Sequence, residues 1–296
     1  MNLVIGATGF LGTEICRQLA AKGKPVRAMI RSTSDQAKVG KLKALGAELV
    51  QGDLRNRASL EAAYQGVTTV ISTASAMPFS YQPEANNIQT VDLEGLTNLI
   101  SAAQVTGVSR FSYTSFSGQI DFDFPLRNAK RAVEQRLKNS GLVYTILHPS
   151  YFMEVWLTPA VGFDASNAKA QIYGTGKNPI SWISFKDVAQ FAVESLDNPA
   201  AQNAVLELGG PEALSPLQAV RIFEEVGGKP FEVQHVPVEA IAAQQKAATD
   251  PMQQSFSGLM LCYAQGDAIE MQEMLRAFPL KLISVRKYAE SVLAAS

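Results

Sequence analysis

A doubly wound α/β fold, a parallel sheet covered on both faces by helices, is predicted by three features of the sequence. Short β-branched runs alternate with helical patterns through the first 150 residues. Glycines fall where those helices should stop, and a glycine-rich turn joins the first strand to the first helix. Strand and helix alternation of this kind demands parallel pairing, because each helix returns the chain to the edge from which the next strand starts.

Taken in order, Leu3-Val4-Ile5 and residues 26–30, 47–50, 69–72, 110–113 and 143–147 read as buried parallel strands. Residues 13–22, 38–45, 59–64, 91–106 and 128–140 read as the intervening helices, with Gly23, Gly46, Gly66, Gly107 and Gly141 placed to terminate them. After Pro149 the rhythm changes. Residues 170–173, 180–183 and 205–208 read as strands, 187–196 and 216–226 as helices, and 238–262 as largely helical. Asp187 reads as a cap for the helix it opens. The expected organisation is a nucleotide-binding domain over 1–150 and a smaller, less regular, substrate-covering portion over 151–296, with interleaving of chain segments allowed.

The 296 residues, 47% hydrophobic, are ample for a large core. Lysine and arginine total 26 against 27 acidic residues, a net charge of −1, which gives nucleic acid no basic face to bind. Cys16 and Cys262 are far apart, and with His148 and His235 they offer no metal-ligand spacing. The opening residues already form a strand, and no apolar run reaches the roughly 18 residues of a membrane helix. A cytoplasmic, membrane-free protein with small-molecule partners is the expectation.

Gly6-Ala-Thr-Gly9-Phe-Leu-Gly12 follows the first strand and opens the first helix. Gly6 allows a sharp turn, Gly9 leaves room for a pyrophosphate, and Gly12 lets helix and strand pack closely. The helix then presents its positive end to the phosphates. These features make the predicted sheet a Rossmann-type one. Where an NAD-preferring site carries an acid after the second strand, this chain has Arg31-Ser32-Thr33-Ser34. A guanidinium with hydroxyls suits a 2′-phosphate, so NADP(H) is the expected cofactor, with Lys38 or Lys41 able to add charge. Asp35 comes too late to reverse this.

The glycine turn, Arg31, Gln51-Gly52-Asp53-Leu54, Ser72-Thr73-Ala74-Ser75, Lys130 and His148-Pro149-Ser150-Tyr151-Phe152-Met153-Glu154 stand in an order that resembles the NmrA-like family of atypical short-chain dehydrogenases. Isoflavone reductase-like enzymes, NAD(P)H:quinone oxidoreductases and triphenylmethane reductase are its relatives. Residues 183–189 and 206–212 resemble later segments of the family, and the match loosens beyond Pro237. The resemblance implies that Thr8, Phe10 and Leu11 lie with the glycines around the diphosphate, and that Ser32 joins Arg31 at the ribose phosphate. It implies Asp53 and Leu54 beside the adenine, Thr73, Ala74 and Ser75 on the path to the nicotinamide ribose, Lys130 on the ribose hydroxyls, and Tyr151 and Phe152 flanking the nicotinamide. Read from the residues alone, Asp53 could instead be a turn residue and Lys130 an exposed member of a basic helix.

Short-chain dehydrogenases of the usual kind carry Tyr-x-x-x-Lys. Counting back from Lys130, the tyrosine position holds Leu126. Lys130 itself, Ser115 and Tyr151 are the remaining candidates for the proton-handling group; Lys130 would need its pKa brought toward neutrality. Residues 151–156, Met77-Pro78-Phe79 and Trp182 suit a flat apolar acceptor, or form core. The leading expectation is an NADPH-dependent reductase of a small aromatic, quinone or carbonyl compound. Its rival is a non-catalytic NADP(H)-sensing regulator that docks on a protein partner.

Overall fold

The apolar runs of the first half become strands because each is too short for a stable helix and rich in β-branched side chains that pack on a pleated surface. The computed structural model describes residues 1–78 and 80–294. The chain runs β1 (Asn2–Ile5), α1 (Phe10–Ala21), β2 (Val26–Ile30), α2 (Gln36–Ala44), β3 (Glu48–Gln51), α3 (Arg57–Ala63) and β4 (Thr69–Ser72). A π-helical segment, Ile88–Gly95, leads into α4 (Leu96–Val105), followed by β5 (Arg110–Thr114), α5 (Pro125–Lys138) and β6 (Val143–Pro149). Then come α6 (Met153–Trp156), β7 (Phe163–Asp164), β8 (Lys169–Tyr173), α7 (Phe185–Glu194), β9 (Ala204–Leu208), α8 (Pro216–Gly227) and β10 (Glu232–Val236). Helices α9 (Val238–Ala247), α10 (Pro251–Gln265), α11 (Gln272–Ala277) and α12 (Val285–Leu293) complete the described chain. No described helix is long and apolar enough to cross a membrane.

Two compact units result. The first comprises Met1–Ser115, Pro125–Leu147 and Val188–Leu206; the second takes Phe116–Phe124, His148–Asp187 and the chain from Glu207 onward. Set against residues 151–296, the second unit also takes in 116–124 and 148–150 and leaves out 188–206.

The main sheet has the order β3-β2-β1-β4-β5-β6-β9, with β1 to β6 parallel. Val4 registers with Ala28 on one side and Ile71 on the other. Strand order reverses between β1 and β4, which opens a crevice beyond their C-terminal ends. Leu3, Ile5, Val70, Phe111 and Ile146 from the sheet pack against Leu60, Leu96, Leu99 and Ile100 in one core. The five helix-stopping glycines all take left-handed backbone, φ between 65° and 79°.

The helix expected over 91–106 starts earlier and differently. Asn87 caps the π segment through a reciprocal pair of bonds with Thr90, and Gly95 closes it where a Cβ would stand 2.8 Å from both Leu54 Cβ and Thr90 O. The wider turn carries Asp92, which is fully buried. Segments of this kind recur at functional sites.

In the second unit β8 pairs parallel with β10 and antiparallel with β7. Residues 180–183 do not form the expected strand. Ile180 makes single bridges to Leu214 and Asp267, and a Cβ at Gly210 would stand 1.9 Å from Trp182 O, so neighbouring loops crowd this backbone without a continuous ladder. Asp187 stands in the first turn of α7, and its Oδ2 accepts from Ile283 N–H at 2.9 Å, far along the chain.

Burial first, with the nearby Glu154 charge adding to it, raises the Asp187 carboxyl from 3.8 to about 7, against the pull of the Ile283 N–H. The protonated form therefore favours the fold; this contribution is complete below about pH 4 and is lost as pH rises through about 7. Asp187→Asn is expected to exceed the parent in stability at pH 8 by about 1–2 kcal/mol. Urea midpoints measured from pH 5 to 8 check this: the parent should decline while the variant stays level.

Candidate functional site

The crevice of the first unit holds a cleft of about 320 Å3, within the size range of small-molecule sites. Gly6, Thr8 and Gly9 of the glycine turn line one side, and Thr73, Ala74 and Ser75 from the end of β4 line the other. Arg31, Asp53 and Leu54 complete the far end. Of the residues predicted to hold a cofactor, these are the ones the fold brings together. Leu11 is buried beneath the turn, Phe10 is 63% exposed, and neither they nor Gly12 and Ser32 form part of the wall.

The turn is built around close backbone contact. Gly6 has φ 78° and its carbonyl accepts from Gly9 N–H at 2.9 Å. A Cβ on Gly12 would lie 2.2 Å from that same carbonyl oxygen. Helix α1 is therefore pressed against the end of β1, and its first turn carries no acidic side chain. This cradle fits a dinucleotide diphosphate: bare backbone, a positive helix end, and no carboxylate to repel phosphate.

At the far end, Asp35 caps α2, accepting from the N–H groups of Ala37 and Lys38 at 2.8 and 3.1 Å. Its carboxylate is committed there. Arg31 donates through Nη1 to Asn86 Oδ1 at 3.1 Å. Asp53 is gripped by Arg55 through bonds of 3.0 and 2.6 Å. The Arg55 hydrogen bonds foremost, with smaller help from the Arg31 charge, keep its carboxyl below the usual range. Asn86, Ser80, Thr33, Ser34, Lys38 and Met77 also line the cleft. The first two escaped sequence analysis because the loop that carries them has no periodicity to place it. Phe79 lies outside the described residues.

Lys130 is 5% exposed, which overturns its reading as a solvated residue of a basic helix. It sits on α5, donating to Thr114 O at 3.4 Å with its ammonium 5.4 Å from the centre of the Tyr113 ring. Burial pulls its pKa down, while the Asp92 and Glu134 carboxylates push back. Asp92 accepts from Ala76 N–H at 3.0 Å through Oδ2, and its buried Oδ1 has no hydrogen-bond partner among the described residues. Burial raises the Asp92 carboxyl, with Lys130 opposing. A buried acid and a buried base thus restrain each other. Ser115 donates to Glu134 Oε1 at 2.5 Å, and Arg131 also holds that oxygen, at 2.6 Å. Leu126, at the usual tyrosine position, is buried on the same helix.

The remaining candidates lie in the second unit. Tyr151 is 2% exposed, donates to Leu259 O at 3.0 Å, and packs edge-on to Trp156, Trp182 and Tyr263. Burial drives its phenol pKa well up. The aromatic set read as an acceptor wall or as core is largely core here. Phe152 lies against Phe185, ring centres 4.2 Å apart. His148 pairs through Nδ1 with Glu207 Oε1 at 2.7 Å.

The chain is similar to known proteins over most of its length. It is 30% identical over 263 residues to an NAD(P)H azoreductase of Xenophilus azovorans, covering 88% of this chain and 85% of that protein. It is 29% identical over 242 residues to the photosystem II assembly factor Ycf39 of Trieres chinensis, covering 80% and 72%. Its fold matches the NADPH-dependent quinone oxidoreductase QOR2 of Escherichia coli, solved in complex with NADPH, with a TM-score of 0.79, 22% identity and 99% of both chains covered. The model of the NmrA-like family matches residues 2–289, and the chain belongs to that family.

Proposed function

We propose that this protein is an NADPH-dependent reductase acting on a small aromatic, quinone or carbonyl-type acceptor. The observation that carries the reading is the convergence, on one cleft, of the glycine turn, the N-terminal end of α1 and Arg31. The azoreductase relative and the quinone oxidoreductase of like fold support the same class of chemistry.

When bound, NADPH supplies the hydride. The chain's part is to bind and orient. Gly6, Thr8 and Gly9 accommodate the diphosphate, with Phe10, Leu11 and Gly12 setting the helix end behind it. Arg31, with Ser32, meets the 2′-phosphate, and Asp53 and Leu54 bound the adenine end. Thr73, Ala74 and Ser75 guide the chain of the cofactor toward the ribose of the nicotinamide. Lys130, poised between Asp92 and Glu134 with its pKa drawn down by burial, holds that ribose and handles the proton at Nζ. Ser115 steadies the set through Glu134. A quinone or dye acceptor can take its proton from water.

The test is NADPH oxidation by the full chain against quinones, enones, aldehydes and triarylmethane dyes, alongside titration of NADPH and NADH. Turnover with at least one acceptor class is expected, with NADPH bound more tightly than NADH. Arg31→Asp should erase or invert that preference, by about a hundredfold in the affinity ratio, since it replaces a cation beside the phosphate with an anion. Flat rates across the whole panel would discard the reductase.

A second reading is favoured by Leu126 at the tyrosine position and by the likeness to Ycf39: an NADP(H)-binding regulator that works on a protein partner. It requires tight NADP(H) binding, similar for oxidised and reduced forms, with no acceptor reduced.

A further inference from the structure

We propose that Asn86 determines cofactor specificity: it holds the Arg31 guanidinium in the orientation that receives a 2′-phosphate while leaving its charge whole. This rests on the NADP(H) reading above and extends it to a residue on a different segment of the chain.

Asn86 lies in the loop between β4 and the π segment and is 7% exposed although it borders the cleft. Its amide has only one workable orientation. Nδ2 donates to the carbonyl oxygen of Ser80 and, at 3.1 Å, to Ser80 Oγ. Turning the amide over would set its oxygen against the Ser80 carbonyl and its NH2 against the Arg31 guanidinium, acceptor on acceptor and donor on donor. Oδ1 therefore faces Arg31 and accepts from Nη1 at 3.1 Å. Among the described residues the Nε and Nη2 groups of Arg31 have no hydrogen-bond partner in the protein, which leaves them available to an anion.

The segment that carries Asn86 is held by further hydrogen bonds. Gln82 and Asn86 exchange two backbone bonds, of 2.9 and 2.8 Å. Ser80 Oγ donates onward to the carbonyls of Ser75 and Ala76, both at 3.2 Å. Arg55, locked by Asp53, holds Ala85 O at 2.9 Å. A long arginine side chain at the cleft is thus tied to a hydrogen-bonded loop through one neutral acceptor. Neutrality is the point. An aspartate here would face the guanidinium too, but would cancel its charge, repel phosphate and set a carboxylate oxygen against the Ser80 carbonyl. Orientation at a fixed charge improves affinity by removing the entropy otherwise lost when a mobile side chain is immobilised.

The experiment measures dissociation constants of NADPH and NADH for the full chain and its variants by calorimetry. Asn86→Ala is expected to weaken NADPH about five- to tenfold and NADH less than about twofold, the size of losing one hydrogen bond of ordinary net strength. Asn86→Asp, of the same volume, should weaken NADPH further, by about fiftyfold or more, again sparing NADH. In an Arg31→Ala background, Asn86→Ala should add nothing to the loss of preference, because Asn86 acts through Arg31. Equal losses for both dinucleotides, or an undiminished Asn86→Ala effect without Arg31, would overturn the proposal and reduce Asn86 to a loop brace. A parent chain that binds neither dinucleotide defeats the cofactor reading and this one together. A parent that prefers NADPH, with both Asn86 variants keeping the preference, defeats this one alone.

Discussion

Lys130→Met is expected to slow NADPH oxidation at least about a hundredfold while changing NADPH affinity by about tenfold or less, the division anticipated for a group that handles a proton and touches a ribose. The expectation follows from where Lys130 sits. Its stem is buried in α5, and its pKa is drawn down by burial, with Asp92 and Glu134 opposing the fall. Lys130→Arg separates charge from proton transfer: arginine keeps the cation but cannot give up a proton, so it should restore binding and not rate. A parental kcat in Lys130→Met would remove the lysine from the mechanism. Stability offers an independent readout. Without the ammonium, Asp92 loses its opposing cation and its carboxyl rises further. A raised native pKa gives stability that is present at acid pH and lost as pH increases, so the variant should weaken toward alkaline pH more steeply than the parent.

Gly12→Ala is expected to destabilise the chain by about 3 kcal/mol and to abolish dinucleotide binding. The added methyl carbon would sit 2.2 Å from Gly6 O, 2.7 Å from Gly6 C and 2.9 Å from Ala7 Cα. All three are backbone atoms of the turn, so no side chain can rotate away. Relief must come from sliding α1 off the end of β1, which moves the helix terminus that would receive the diphosphate. Gly40→Ala is the control, since a Cβ there meets nothing within 4 Å and it lies on α2. Urea unfolding and NADPH titration of both variants check this, and a Gly12→Ala chain that binds NADPH like the parent would show that the contact is not needed.

The parallel sheet was legible in the sequence because each β-branched run and each stopping glycine is a local signal with a local cause. The cleft's glycine side and Arg31 were legible for the same reason, as they follow directly from strand ends. Lys130 and Glu134 carried a signal that went unread. Leu126, Ala129, Lys130, Val133, Glu134 and Leu137 are all buried and follow the helical period, so two charged residues stand in an apolar stripe. That position, more than the neighbouring arginines, marks them as an internal pair. Asp92 was hidden because a π turn shifts which side chain faces inward, and no propensity announces it. Asn86 and Ser80 act through contacts between loop residues, where neither period nor capping pattern reports partners. The strand expected over 180–183 failed because β-branched composition says that a segment is buried without saying that a ladder partner exists.

Interleaving of the two units has a consequence for how the protein is made. A nascent chain of 150 residues contains all six parallel strands yet lacks β9, the strand that covers β6. It also lacks the carbonyls of Ser195 and Leu196, which Arg110 holds at 2.8 and 2.7 Å, and that of Ala201, which Thr145 holds at 2.7 Å. Until these arrive, the edge of β6 stands open to any passing strand. The first unit therefore closes only after synthesis has passed Leu206, well into the second, and the nucleotide-binding half is not a module that matures ahead of its neighbour during translation.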